Sequence, residues 1–129
     1  MKDAYASPPQ ADSRREQRYR VYWRANLHLA EGRTIGARLS DISGSGLGLL
    51  AGEALAIGTI MPVTMGVPDI DGGPQLLAVQ CSVRVENLVL SGRDYRMGAC
   101  WVTPSASVRQ VIENWIRKLR YTNSVISPS

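Results

Sequence analysis

Arg14, Arg15, Arg18, Arg20 and Arg24 crowd one short stretch of the chain against a single acid, Glu16. A guanidinium is planar, permanently charged and offers paired N–H donors. It therefore suits a phosphate, and equally the O6/N7 edge of guanine. Arg14 and Arg18 are spaced four apart, and Arg15 and Arg18 three apart. In an arm that precedes a strand, several guanidiniums can converge on one small anion. The plainer reading of this cluster by itself is a solvated basic linker or a non-specific phosphate patch.

A second motif, Asp41-Ile42-Ser43-Gly44-Ser45-Gly46, reads as a loop at the end of a strand. The Asp41 carboxylate offers two acceptor oxygens. Guanine's Watson–Crick edge presents two adjacent donors, so a carboxylate pairs with it through both; adenine places an acceptor there and is rejected. Ser43 is placed to donate to a phosphate or to cap the turn. Gly44 and Gly46 permit positive φ and close ligand approach. The plainer alternative is an Asx/Ser turn in which Asp41 bonds its own backbone.

These motifs need strands to hold them. Val21 to Leu29 alternates apolar and polar residues, Gly32-Arg33 is a turn, and Thr34 to Leu39 reads as a second strand. Leu47, Leu49 and Leu50 form a short third strand, and Ile60 to Met65 a fourth. Gly66 to Gln75, rich in glycine and proline, reads as a loop. Leu77, Val79, Cys81, Val83 and Val85 share one face of the clearest strand, with Gln80, Ser82, Arg84 and Glu86 on the other. Ser91-Gly92-Arg93-Asp94 turns the chain into a partner strand carrying Tyr95, Met97, Ala99 and Trp101. The period then changes to 3.6. Val108, Val111, Ile112, Trp115 and Leu119 fall on one helical face, and Ser107 with Gln110 has capping-box spacing just after Pro104. Six strands in short succession favour a closed barrel, because closure leaves no exposed edge.

The bulk properties agree. The chain has 129 residues, is 44% hydrophobic and 20% charged, and carries a net charge of +4. That is one domain with an ordinary core and a bias toward anionic partners. The expected organisation is a polar leader over 1–12, a domain over 13–121 whose arginine arm is 13–20, and a tail over 122–129. No apolar run reaches the ~18–20 residues of a membrane span, and nothing reads as a signal peptide, so a cytoplasmic protein is expected. Cys81 and Cys100 lack metal-site spacing; reduced packing residues are expected, with a disulfide across paired strands as the alternative.

An arginine arm, an Asp-x-Ser-x-x-Gly loop, a hairpin end Met97-Gly98-Ala99-Cys100-Trp101 and a terminal helix together resemble the PilZ family of cyclic di-GMP receptors, over about residues 13–121. The family's signatures, Arg-x-x-x-Arg and Asp/Asn-x-Ser-x-x-Gly, fit Arg14 to Arg18 and Asp41, Ser43 and Gly46. Trp101 stands in the aromatic place of the family's Gly-x-x-Phe strand. The resemblance implies a mostly β fold: a six-stranded antiparallel barrel with a C-terminal α-helix, and an arm that closes over the ligand on the barrel's outer surface. By the same analogy Arg14 and Arg18 grip guanine edges and phosphates with Arg15 assisting. Asp41 reads a guanine, Ser43 contacts the ligand and Gly46 keeps the loop tight. In many members the last motif arginine directly precedes the first strand. Counting that strand from Val21 puts Arg20 there, with Glu16 four before it. Arg14 and Arg18 satisfy the spacing, and Arg20 is kept as a further contributor.

Arg84, mid-strand and facing outward, is a candidate to stack on guanine; the plainer reading pairs it with a strand neighbour. His28, the sole histidine, has no partner motif, and Asp69 and Asp71 have too few oxygen neighbours for a calcium loop. No nucleophile–base pair, carboxylate dyad or metal cluster stands out, so neither an enzyme nor a cofactor is expected. The leading expectation is a monomer or weak dimer that binds cyclic di-GMP and signals to a protein effector, with no membrane contact. A small nucleic-acid-binding barrel is the alternative, disfavoured because few aromatics are left to form a stacking platform. A PilZ-like adaptor that binds protein only is the third possibility.

Overall fold

In the computed structural model, residues 16–126 are described, the side chains of 123–126 excepted. Six strands and one long helix follow in order. They are β1 (Tyr19–His28), β2 (Thr34–Ile42), β3 (Gly46–Ala51), β4 (Ile60–Pro68), β5 (Leu76–Ser91), β6 (Asp94–Val102) and α1 (Ala106–Ile126). All neighbouring strands pair antiparallel, in the spatial order β1-β2-β3-β6-β5-β4. The ring closes where Ala25, Asn26 and Leu27 of β1 pair with Met65, Thr64 and Val63 of β4.

Alternation decides which side chains go inside. On β1, Tyr19, Val21, Trp23, Ala25 and Leu27 are buried, while Arg20, Tyr22, Arg24 and Asn26 are exposed. Leu39, Ile42, Leu47, Leu49, Met61, Met65, Val83 and Met97 complete the interior. The chain contains no phenylalanine, so aliphatic and methionine side chains fill the space. Each fully buried one contributes roughly 1.5–3 kcal/mol relative to exposure.

Several boundaries move from the sequence expectation. β1 begins at Tyr19 rather than Val21, which makes Arg18 the residue immediately before the first strand. β4 continues through Gly66 to Pro68, because Gly66 and Val67 pair with Ala78 and Leu77; the loop to β5 is correspondingly short. β5 and β6 form the long expected hairpin, with Ser91 opposite Asp94 and Gly92 at φ +66°, a turn conformation that favours glycine. Helix α1 runs to Ile126, past the expected end at 121.

The amphipathic face of α1 lies on the barrel as expected. Val108 and Ile112 are buried, and Val111, Trp115 and Leu119 pack against the core. Trp115 meets Trp23 edge to face, with ring centroids 5.4 Å apart and an interplanar angle of 69°. Trp23 is therefore a core residue. The cap differs from the expected Ser107–Gln110 box. Ser105 Oγ accepts from Val108 N at 3.2 Å and Ser105 O accepts from Arg109 N at 2.9 Å, so the helix starts from Ser105, while Gln110 bonds Asn114. Ser105→Ala is expected to cost about 1 kcal/mol in urea unfolding, and Ser107→Ala markedly less. Equal losses would contradict this cap.

Candidate ligand-binding site

The loop between β2 and β3 is closed by its own serine. Ser43 N donates to Gly46 O at 2.8 Å, and Gly46 N donates to Ser43 Oγ at 3.2 Å. Trp101 braces the loop from β6, with Nε1 donating to Ser43 O at 3.1 Å and its backbone N to Ser45 O at 3.1 Å. Ser43 is only 1% exposed, and is the one buried polar side chain among the described residues. Its hydroxyl fastens the turn, one of the two roles its type allowed, and is buried. Gly46 is required sterically: a Cβ there would lie 2.1 Å from Ala99 O on the neighbouring strand.

Asp41 faces outward beside this loop. Arg18, on the approach to β1, places NH1 2.5 Å from Asp41 Oδ1, joining residues 23 positions apart. A bulge in the β2–β3 pairing between Leu39 and Asp41 leaves Ser40 free to donate to the other carboxylate oxygen, Oδ2, at 3.0 Å. The side chains of Arg18 and Asp41 are 46% and 26% exposed. A pair so exposed contributes about 0–1 kcal/mol. It orients both groups and is easily exchanged.

Sheet register then lays out a flat strip beside Asp41. Asp41 is opposite Gly48 on β3, Gly48 opposite Gly98 on β6, and Gly98 opposite Asn87 on β5. At ~4.8 Å per strand the row spans roughly 14 Å. Its two middle positions have no side chain, and its ends are a carboxylate and a carboxamide. A Cβ at Gly48 would come 2.4 Å from Asp41 Oδ2, and one at Gly98 2.7 Å from Asn87 Nδ2. Asn87 is fixed by accepting Gly98 N at 3.0 Å. Ser40, Gly48 and Asn87 escaped the sequence reading. Only strand pairing brings them together, although the Gly46-Leu47-Gly48 alternation was a usable signal.

The other candidates are placed as follows. Arg14 and Arg15 lie outside the described residues. Arg20 is exposed, and its Cα is the register partner of Asp41. Glu16, not singled out from sequence, accepts a hydrogen bond from Ser45 Oγ and so rests its carboxylate on the loop. Glu16, Gln17 and Tyr19 line a cavity of about 540 Å³ with Gly44, Glu113 and Arg117 of the loop and helix. Arg84 Nε donates to Glu86 Oε2 at 2.8 Å along its own strand. Glu86 also accepts from Cys100 Sγ at 3.2 Å. Those two bonds, Arg84's first, hold the Glu86 carboxyl below its usual range. Burial, followed by the Glu86 carboxylate, pushes the Cys100 thiol up.

Cys81 and Cys100 are free. Cys100 is opposite outward-facing Arg84, whereas Cys81 shares the core-facing side of β5 with Val83, so the thiols point to opposite faces. Burial pushes the Cys81 thiol up to about 11. His28 bridges Thr34 at 3.3 Å and Thr64 at 2.8 Å, tying β1 to both neighbours. Among the described residues no cluster of His, Cys, Asp and Glu could hold a metal ion, and no helix is long and apolar enough to cross a membrane.

Residues 12–118 match the family model for the PilZ domain. No curated protein matches the chain in sequence. Similar solved structures include Bacillus subtilis inhibitor of motility MotI/DgrA (TM-score 0.70, 12% identity, covering 83% of this chain and 50% of that one). The PilZ domain of Escherichia coli YcgR with c-di-GMP is another (TM-score 0.63, 18% identity, 89% and 98% covered). A third is the MrkH–c-di-GMP complex of K. pneumonia (TM-score 0.69, 14% identity, 85% and 52% covered). At these identities the likeness is one of fold. The chain spans about half the length of the MotI/DgrA and MrkH chains and nearly all of the YcgR PilZ domain.

Two glycine substitutions separate scaffold from site. Gly46→Ala drives a Cβ into backbone and is expected to lose about 1–3 kcal/mol or more in thermal or urea unfolding. Gly48→Ala meets only the Asp41 and Ser40 side-chain ends, so it should fold near wild type while displacing the carboxylate. Wild-type stability in Gly46→Ala would contradict this assignment.

Proposed function

The chain belongs to the PilZ domain family, and from that premise we propose that it binds cyclic di-GMP on the outer barrel surface and relays binding through its arm to a protein partner. The observation that carries this reading is the Arg18–Asp41 ion pair. It places the last arginine of the arm motif against the carboxylate of the loop motif.

Binding is then an exchange of partners. Guanine offers two adjacent donors to Asp41, which replace the Arg18 N–H. Ser40 continues to hold Oδ2 and keeps the carboxylate facing outward. Arg18, released beside the ligand, turns to a phosphate or to a guanine O6/N7 edge, and Arg14 and Arg15 add charge from the arm. Gly48 and Gly98 carry no side chains of their own, and Asp41 and Ser40 overlie Gly48 while Asn87 overlies Gly98, so a base laid on this strip meets those polar groups. Ser43 contributes from beneath by holding the loop. Arg20 adjoins the site, whereas Arg84 remains with Glu86.

The relay follows from the same exchange. In the described structure the arm is held to the loop by two contacts, Arg18 to Asp41 and Glu16 to Ser45. A ligand that takes Asp41 from Arg18 re-seats the arm around itself and changes the surface offered to the partner. In this reading the chain senses and does not catalyse, and it works in the cytoplasm.

Calorimetric titration with cyclic di-GMP, using GTP as control, tests the proposal. Arg18→Ala and Asp41→Ala should each lose more than ~1.4 kcal/mol of binding free energy, a tenfold affinity. Arg84→Ala should bind within about threefold of wild type, since its guanidinium is engaged elsewhere. Folded wild-type protein that takes up no ligand, or unaltered binding in both Arg18→Ala and Asp41→Ala, would sink the reading.

A further inference from the structure

The outer face of β1 and its neighbours carries a charge pattern that the ligand site does not use. β1 presents Arg20, Tyr22, Arg24 and Asn26 outward, and Tyr22 is 73% exposed. On β2, exposed Arg38 stands directly opposite Arg24. Arg38 is in turn opposite Leu50 on β3, and Leu50 opposite exposed Arg96 on β6. A row Arg24–Arg38–Leu50–Arg96 thus crosses four adjacent strands, roughly 14 Å between its end Cα positions. Val89, 57% exposed, prolongs the row onto β5 opposite Arg96.

Among the described residues of its strands, positive charge outweighs negative along this row. The four strands of the row, β1, β2, β3 and β6, contain four arginines, Arg20, Arg24, Arg38 and Arg96, against two carboxylates, Asp41, which Arg18 holds, and Asp94, two residues before Arg96. Among the described residues Arg24, Arg38 and Arg96 enter no ion pair or hydrogen bond. Like charges directly opposite on paired strands destabilise the pairing. Arg24 and Arg38 therefore oppose the fold at a place where an external anion would relieve them. Beside them is a shallow trough of about 480 Å³, where Arg24, Arg38 and Asn26 border the small residues Gly36, Gly66 and Ala78.

We propose that this face docks an acidic, partly apolar segment of a protein partner. Charge complementarity calls for carboxylates, which guanidiniums bind in pairs. Arginine and tyrosine are the residues that dominate protein interfaces, and no lysine occurs on these strands. Leu50 interrupts the cationic row, Val89 ends it and Tyr22 flanks it; they suit apolar side chains of a peptide and would face only charge against a phosphate backbone. The small residues of the trough allow an extended chain to lie close. The proposal rests on the protein-relay half of the proposed function and is independent of its ligand half.

Fluorescence-anisotropy titration of the full chain with a labelled peptide of alternating Glu and Leu tests it, alongside single-stranded oligothymidylate at the same salt. Saturable peptide binding is expected, weakened at least about tenfold in R24E/R38E, with the oligonucleotide the weaker ligand. Absent peptide binding, or binding unchanged in R24E/R38E, overturns the proposal. Tighter oligothymidylate binding that the same variant loses assigns the face to nucleic acid and overturns it too. A cooperative melt of R24E/R38E guards against misfolding. R38Q, which relieves the Arg24 repulsion, should melt no lower than wild type while weakening the peptide. Cyclic di-GMP titrated in parallel keeps the two readings apart. Failure of wild type to bind it removes the ligand reading alone, whereas its loss in R24E/R38E merges this face with the ligand site and overturns the proposal.

Discussion

Closure of the sheet into a ring is the constraint from which the rest follows. A six-stranded barrel of this size is filled by its own side chains: Leu27, Leu39, Ile42, Leu47, Leu49, Val63, Met65, Val83 and Met97 leave no interior for a ligand. In the proposed reading, recognition is then built on the outside of the wall, where a convex sheet offers little depth. The chain meets this with two devices. One is glycine at positions 48 and 98, which leaves room for the Asp41 and Asn87 side chains to lie over the wall. The other is the contact from Arg18 to Asp41, which fastens the approach to β1 against the wall.

The ion pair between Arg18 and Asp41 has a correspondingly small energetic role. It is too exposed to stabilise the barrel appreciably. Its value lies in position and exchangeability. The pair holds Asp41 outward beside Gly48, and in the proposed reading a ligand with paired donors replaces the guanidinium without leaving a buried charge. Beneath it, the Ser43–Gly46 turn and the Trp101 indole supply the rigidity that the exposed pair lacks. The ion pair is thus exposed, whereas its support is buried and closed.

Much of the fold was legible because it depends on local periodicity. Val79, Val83 and Val85 face inward and Gln80, Arg84 and Glu86 outward, as a period of two demands, and the change to a 3.6 period after Pro104 marks α1 correctly. Boundaries slipped where pairing overrode composition. Gly66 and Pro68 read as loop residues yet lie in β4, because β5 supplies hydrogen-bond partners opposite them. Ser107 satisfied a capping pattern, but Ser105 lies where the helix begins and takes the cap.

For the site, residue types suggested that the arginine arm and the Asp41 loop could suit an anion bearing guanine-like donors, since charge and donor–acceptor count are properties of single side chains, but each motif alone was equally a basic linker or an Asx/Ser turn. Which residues adjoin them was decided by register, which links positions far apart in sequence. Register placed Gly98 and Asn87 in line with Asp41 and set Arg38 against Arg24. The fold turned Ser43 inward and left Arg84 bonded to Glu86. A side chain's chemistry is local and can be read along the chain; its neighbours across a barrel depend on how every strand between them pairs, and that exists only once the ring has closed.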